Sequence, residues 1–187
     1  MALFKKSKVQ DKIRQLVKAG DVAGLIELIT GAAPAKERAD AAHELPRFST
    51  EIDARHRDAA HSALTGATQD SNPEVRSSAL FAWAELRWDD TVEHLMAAAD
   101  DSEWIVRLFA VTLLGRFSEE RVVVRLGTSL ADDPQGMVRE AAASSLGELG
   151  DPAAVEPLRR AASEDHDREV RKAAKGALKR LEDDSVS

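Results

Sequence analysis

Apolar residues recur every three or four positions along most of the chain, and the clearest run spans residues 133–165. A helix in this run carries on one face Val138, Ala142, Leu146 and Leu149. The segment Gly150-Asp151-Pro152 ends this helix and begins a second one. The apolar face of the second helix consists of Val155, Leu158 and Ala162. Neither helix can bury its apolar face alone, so the pair requires packed neighbours.

The same pattern returns along the chain with a spacing of 31 or 32 residues. Its marker is a Val-Arg dipeptide, found at Val75-Arg76, Val106-Arg107, Val138-Arg139 and Val170-Arg171. Each valine has an aspartate five residues before it, an alanine four after it and large apolar residues eight and eleven after it. A fainter copy starts at Glu37-Arg38. Helix pairs repeated at this period are typical of an α-solenoid.

These repeats predict an all-α fold, a right-handed α-solenoid (superhelix) of about five helix pairs plus a C-terminal capping helix. We predict a single domain, with an N-terminal capping pair at residues 1–31, repeats at 35–181 and a disordered acidic tail at 182–187. The predicted helices span residues 8–18, 21–30, 35–47, 51–68, 72–86, 90–99, 103–117, 119–131, 134–149, 152–164 and 167–181. In the clearest repeat, Asp133 is the predicted N-cap and Pro134 the first helical residue.

The pattern D-x4-V-R-x2-A-A-x3-L-G-x-L-G-D, met almost in full from Asp133 to Asp151, resembles the short HEAT repeats named after phycobilisome lyases. The resemblance extends over about residues 36–181. It implies an armadillo-like superhelix. It implies little about activity, because the matching residues are those that pack.

Composition narrows the functional classes. The chain has 187 residues, enough for a continuous core, and no cysteine, which excludes disulfides, thiolate catalysis and cysteine-based zinc sites. No run approaches the ~18 apolar residues of a membrane span. No apolar stretch follows the N-terminal lysines, as it would in a signal peptide, so we expect a cytoplasmic protein. The net charge of −7 makes nucleic acid an unfavourable partner.

The arginines that share one repeat position could be functional or structural. An arginine there can reach the aspartate and the exposed backbone of its own or the adjoining repeat. The pair recurs in every unit, whereas a catalytic residue would occur once. We therefore interpret it as a structural ladder that fixes the repeat register. The ladder residues are Asp70, Arg76, Asp101, Arg107, Asp133, Arg139, Asp165 and Arg171.

His43-Glu44 invites comparison with deoxyhypusine hydroxylase, a HEAT-repeat enzyme that binds two irons through His-Glu pairs. In that family the pair follows the repeat arginine directly, whereas His43-Glu44 lies four residues too late. His56 and His61 are five residues apart, a poor spacing for two ligands on one helical face. His94 and His166 are isolated, and no glycine-rich phosphate loop or nucleophile elbow is present. We therefore expect no metal, no cofactor and no catalytic residue.

Positions that depart from the repeat are the more informative ones for binding. The positions one before, two after and six after each repeat valine share a face of the first helix away from the packed face. In the last units this face is mostly polar, but three consecutive units carry apolar residues there. We predict an exposed protein-binding ribbon of Phe81, Trp88, Trp104, Ile105, Leu108 and Met137. The alternative is that shifts in helix angle bury these residues as additional core.

Both ends of the chain carry basic residues. The N-terminal lysines, with Met1, Leu3 and Phe4, either form a solvated cap or dock on an anionic surface. The last helix carries a basic stripe of Arg168, Lys172, Lys175 and Lys179. That stripe either keeps the end of the core soluble or meets an acidic partner or the acidic tail.

The leading functional hypothesis is a non-catalytic scaffold module that binds another protein, with self-association as a variant. The resemblance implies a runner-up, a lyase-like accessory enzyme or chromophore-handling subunit. Such a role needs a polar pocket on the concave face, which is not evident among the second-helix residues Glu93, His94, Arg125, Thr128 and Arg160. DNA binding, as in the HEAT-like alkylpurine glycosylases, would require a continuous basic groove, which Glu93 and Glu156 oppose.

Overall fold

The computed structural model describes residues 8–184, with side chains from residue 12 to residue 183. Contacts divide the chain into two compact units, Met1–Thr91 (unit 1) and Val92–Ser187 (unit 2). The described residues form helices and connecting loops without a strand, which confirms the all-α prediction. The right-handed sense of the superhelix and the assignment of a single domain stay predictions.

Unit 1 packs its helices around one apolar core. In this unit α3 packs against α6, and α2 packs against both α3 and α5. A 3₁₀ turn (Leu45–Phe48) follows α3, and a π turn (Ile52–His56) precedes α5. The helices of unit 1 are α1 (Lys8–Ala19), α2 (Val22–Thr30), α3 (Ala35–Glu44), α4 (Ser49–Glu51), α5 (Arg57–Ala67) and α6 (Pro73–Leu86). Its fully buried large side chains include Leu25, Leu45, Ile52, Leu64, Leu80 and Trp83.

Unit 2 repeats one arrangement. The first helices of successive pairs, α8, α10 and α12, pack side by side, and the second helices α9 and α11 pack against each other. A 3₁₀ turn (Pro152–Ala154) leads into α11. The helices are α7, which begins at the unit boundary (Thr91–Ala98), α8 (Trp104–Leu114), α9 (Glu120–Asp132), α10 (Gly136–Leu149), α11 (Val155–Glu164) and α12 (Arg168–Asp184).

The repeated apolar positions form the core. On α10, Val138, Ala142 and Leu146 are fully buried, as their spacing of four residues predicts. The helix ends at Gly150, whose φ of +69° is left-handed and which therefore favours glycine. Asp151 then accepts a hydrogen bond from the Ala153 backbone N–H at 2.8 Å and caps the next turn.

Three local predictions place the boundaries of helices wrongly. Asp133 does not cap α10 directly, because α10 begins at Gly136 after the N-cap position Gln135. The segment between α3 and α5 is almost continuously helical rather than an open connection. The predicted disordered tail begins too early, since α12 continues to Asp184. The predictions for Met1, Leu3 and Phe4 and for residues 185–187 lie outside the described residues.

Over the described part of the chain, every helix is too short or too polar to cross a membrane.

We expect Leu146→Ala to lower the free energy of unfolding by about 2–5 kcal/mol, because Leu146 is fully buried and its truncation leaves a cavity. Ser144→Ala, on the partly exposed side of the same helix, should change it by less than about 0.5 kcal/mol. Urea unfolding followed by circular dichroism measures both changes. Equal losses for the two variants would show that the assignment of the packed face is wrong.

Candidate functional site

The repeat arginines bind the aspartate of the following repeat with two parallel hydrogen bonds. In unit 2, Arg107 donates from Nε to Asp133 Oδ2 at 2.7 Å and from Nη2 to Asp133 Oδ1 at 3.0 Å. Arg139 donates in the same way to Asp165, at 2.8 and 3.0 Å. This planar, bidentate geometry is the strongest form of an arginine–carboxylate contact.

Unit 1 contains the same contact between Arg38 and Asp70, with both hydrogen bonds at 2.8 Å. Arg38 belongs to the fainter repeat, which lacks the aspartate five residues before its Glu37-Arg38 dipeptide and has Ala32 there. Arg38 therefore makes the bidentate contact although its own repeat has no aspartate at this position. The bidentate partner is the aspartate of the following repeat, Asp70.

The third guanidinium nitrogen anchors each arginine to its own repeat. Arg107 Nη1 donates to the Asp101 carbonyl oxygen at 2.9 Å, and Arg139 Nη1 donates to that of Asp133 at 2.9 Å. Arg76 and Arg171 donate equivalently to the carbonyl oxygens of the aspartates six residues before them, at 2.8 and 2.7 Å. One side chain thus holds the turn before its helix and, where the bidentate contact forms, the turn of the next repeat.

The aspartates complete the arrangement by capping the turn that follows them. The Oδ1 atom of Asp70, Asp101, Asp133 and Asp165 accepts a hydrogen bond from the backbone N–H two residues later, at 2.8–2.9 Å. The turn is thereby fixed before the helix starts. We name these pairs, with Arg38 included, the Arg–Asp ladder.

The best-buried ion pair of the ladder is shielded from solvent, which strengthens the attraction between its charges. The Arg139 and Asp165 side chains are 4% and 7% exposed, far less than ordinary surface ion pairs. The Arg139 hydrogen bonds lower the pKa of Asp165 below its ordinary value, with help from the Asp167 backbone N–H, although burial opposes the shift. Arg38 lowers the pKa of Asp70 in the same way. The carboxylates are therefore held in their charged form.

The predicted ribbon residue Trp88 is buried, which corrects its assignment to an exposed surface. Only 5% of Trp88 is accessible, and its ring meets the edge of the Trp83 ring at a centroid distance of 5.2 Å. His61 stacks on its face at 5.6 Å, and the Arg57 guanidinium lies 5.1 Å from its centroid. Trp88 therefore belongs to the core of unit 1, where α5 covers it.

The predicted residue Phe81 is half-buried in unit 1. Its ring stacks on His43 with centroids 4.4 Å apart. The neighbouring Glu44 accepts a hydrogen bond from Arg47 at 2.8 Å. Within the described side chains, no group of three or more histidine, aspartate or glutamate residues is placed to hold a metal ion.

The remaining ribbon residues lie at the surface of unit 2. Met137 and Trp104 are 51% and 38% exposed, while Ile105 and Leu108 are half-buried. Phe109, which the sequence pattern did not single out, is 42% exposed. We name the surface formed on α8 and the start of α10 by Trp104, Ile105, Leu108, Phe109 and Met137 the α8–α10 patch.

Helix geometry explains why Phe109 was missed. Successive helical residues rotate by about 100°, so the positions one before and three and six after the repeat valine share one side of α8. On that side Ile105 is half-buried and Phe109 and Thr112 are exposed. The predicted ribbon relied on the position two after the valine, which lies about 60° away from this side, and Leu108 is half-buried there. Because α8 is apolar on almost every side, its sequence alone does not mark which face is exposed.

The second helices of unit 2 border a groove of about 680 Å³ between α9 and α11. Its lining includes the small residues Gly127, Ala131, Pro157 and Ala161. At its rim, Arg160 lies 3.3 Å from Glu164. Elsewhere on α9, Arg121 pairs with Glu93 of α7 and Arg125 with Asp100 of the loop after α7, each at 2.7 Å. These second-helix charges therefore pair with one another.

Residues 92–179 match the family model described as HEAT repeats. This match supports a HEAT-repeat protein and coincides with most of unit 2. The finer assignment to phycobilisome-lyase-like repeats stays a prediction. A comparison with curated protein sequences found no match.

Solved structures resemble the chain along most of its length. Human deoxyhypusine hydroxylase in complex with glycerol covers 96% of this chain and 82% of its own, with 19% identity and a TM-score of 0.58. A computationally designed armadillo repeat protein for modular peptide recognition covers 91% of this chain and 86% of its own, with 20% identity and a TM-score of 0.57. These likenesses show the fold, a repeat solenoid of the armadillo and HEAT type.

The lowered pKa of Asp165 predicts a pH dependence of stability. A carboxylate whose folded pKa lies below its unfolded value of about 3.9 contributes fully above that value, and the contribution is lost as the pH falls through the folded pKa. We expect unfolding free energy to fall more steeply in the wild type than in Asp165→Asn as the pH decreases below about 4.

Urea unfolding at a series of pH values measures this difference. Asp132→Asn, which removes an exposed carboxylate from the end of α9, is the matched control and should lose stability with falling pH as the wild type does. Identical pH profiles for Asp165→Asn and the wild type would contradict the role assigned to Asp165.

Proposed function

We propose that this chain is a non-catalytic protein-binding module that uses the α8–α10 patch of unit 2 as its binding surface. The observation that carries the proposal is the exposure of Trp104, Phe109 and Met137. These three large apolar side chains lie on α8 and at the start of α10, two helices that pack side by side. Large apolar side chains exposed on two adjacent helices favour an interaction surface.

The residue types at the patch also support protein binding. Aromatic residues and methionine are enriched at the centre of protein interfaces, where a few of them supply most of the binding free energy. Ile105 and Leu108, which are half-buried, add apolar surface to the patch. A partner could therefore bury the patch without any rearrangement of the backbone.

The helices that carry the patch are held in fixed positions. The Arg107 contact with Asp133 links the turn before α8 to the turn before α10, the two segments that flank the patch. Ser145 on α10 also donates a hydrogen bond to the Val111 carbonyl oxygen of α8 at 3.0 Å. A preorganised surface loses little conformational entropy on binding, which favours affinity.

The fold is consistent with this role. Repeat solenoids present extended surfaces, and one structural neighbour is a protein designed for peptide recognition. The charged groups that recur in each repeat are engaged in the Arg–Asp ladder. They serve the packing of successive repeats, which supports a scaffold rather than an enzyme.

We expect the double variant Trp104→Gln/Phe109→Gln to weaken partner binding by about 2 kcal/mol or more, because both side chains belong to the proposed interface. Its melting temperature should stay close to that of the wild type, since both side chains are already largely exposed. Affinity purification from native cells identifies proteins retained by the wild type. The Kd of each purified candidate is then measured against both forms by calorimetry.

Val124→Gln is the matched control, because Val124 is 65% exposed on α9 and lies outside the patch. It should bind the partner like the wild type. A partner that binds all three forms equally would contradict the proposal. A large fall in melting temperature for the double variant would show instead that Trp104 and Phe109 belong to the core.

A further inference from the structure

One face of α10 is shaped to receive the following helix. This face contains Arg139, which binds Asp165 of the next repeat, and two glycines. A Cβ atom at Gly136 would overlap Asp167, and one at Gly147 would overlap Ala177 of α12. Small residues at these positions therefore allow α12 and its preceding turn to approach closely.

The face of α12 at the equivalent repeat positions is basic. The residues one repeat after Gly136, Arg139, Ala143 and Gly147 are Arg168, Arg171, Lys175 and Lys179. Arg168, Lys175 and Lys179 are exposed, and Arg171 is half-buried. Their spacing of three, four and four residues places them along one side of the helix. We name these four residues the α12 basic face.

Arg171 is held as the other ladder arginines are held. Its Nη1 atom donates to the Asp165 carbonyl oxygen at 2.7 Å and to that of His166 at 3.1 Å. Arg107 and Arg139 make the equivalent contact to the aspartate carbonyl oxygen and use Nε and Nη2 to bind a carboxylate. Among the described residues, no carboxylate binds Nε and Nη2 of Arg171. Among these residues, Nε and Nη2 of Arg171 therefore keep their capacity for a bidentate contact with a carboxylate.

We infer that the α12 basic face binds an acidic segment of a partner protein, with one aspartate or glutamate side chain seated on the Arg171 guanidinium. Arg168 on one side and Lys175 and Lys179 on the other receive the neighbouring carboxylates. Two observations carry this inference: the face continues the Arg–Asp ladder, and its charge is complementary to an acidic segment. It is separate from the α8–α10 patch and does not depend on it.

The shape of the face favours an extended or loop-like ligand. Where α10 has glycines that admit a neighbouring helix, α12 has long charged side chains. A helix could not approach as closely as α12 approaches α10. A second copy of this chain is also a poor ligand through its first repeat, because Ala32 occupies the position of the accepting aspartate.

Fluorescence anisotropy with a labelled peptide of alternating aspartate and serine tests the inference on the full chain at low ionic strength. We expect binding to the aspartate peptide and none to a peptide of alternating asparagine and serine. Arg171→Gln should weaken binding at least about tenfold. Arg171→Lys keeps the charge but loses the planar fork, so it should weaken binding by about threefold or more.

Arg159→Gln is the matched control, since Arg159 is an exposed arginine on α11 paired with Glu156 at 3.0 Å. It should weaken peptide binding by less than about twofold. Lys175→Gln/Lys179→Gln changes only exposed side chains and should lower affinity by about tenfold. This variant keeps the inference testable if Arg171→Gln unfolds. The Trp104→Gln/Phe109→Gln variant should bind the peptide like the wild type.

Four results would overturn the inference. Equal losses of peptide affinity in Arg171→Gln and Arg159→Gln would show that only the net charge of the chain matters. Wild-type affinity in Arg171→Lys would show that the planar guanidinium is not required. Tighter binding of oligothymidine than of the aspartate peptide would indicate a nucleic acid ligand. A tenfold gain in affinity from Glu182→Gln/Asp183→Asn/Asp184→Asn would indicate that the chain's own acidic end occupies the face.

Discussion

The bidentate contact between an arginine and the aspartate of the following repeat ties successive repeats together. Each such aspartate receives three hydrogen bonds, two from the guanidinium and one from the backbone two residues later. Removing such charges from water is costly unless every donor and acceptor is satisfied. A shift of one repeat against the next would break the two guanidinium bonds and leave both charges buried and unpaired. The contact therefore fixes the register in which apolar faces such as Val138, Ala142 and Leu146 meet the next repeat.

This constraint was predictable from the sequence because it repeats. A spacing of 31 or 32 residues identified the aspartates, the arginines and the buried positions together. The surface was harder to predict, because it depends on contacts between residues that are distant in sequence. Trp88 is covered by His61 and Arg57 of α5, and no local pattern indicates that contact. Phe109 was missed because a helix that is apolar on most sides does not show which side faces solvent.

The two proposed binding surfaces arise where single repeats depart from the common pattern. One repeat position is occupied by Gly136 in α10, by Trp104 in α8 and by Arg168 in α12. Glycine there admits the neighbouring repeat, tryptophan contributes to an apolar patch and arginine contributes to a basic face. Each of the three is the first residue of its helix, so the side chain decides what the surface offers there. A solenoid can therefore diversify its surfaces without changing the packing that stabilises it.

A double-mutant cycle on Arg107 and Asp133 tests most directly whether the ladder fixes the stacking of repeats. Arg107→Gln, Asp133→Asn and the double variant are unfolded in urea, and the coupling free energy is obtained from the three changes. Breaking a buried pair from one side is expected to cost about 3–5 kcal/mol, so we expect a coupling free energy of about 2 kcal/mol or more. Additive changes, with a coupling near zero, would show that the pair does not stabilise the repeat interface.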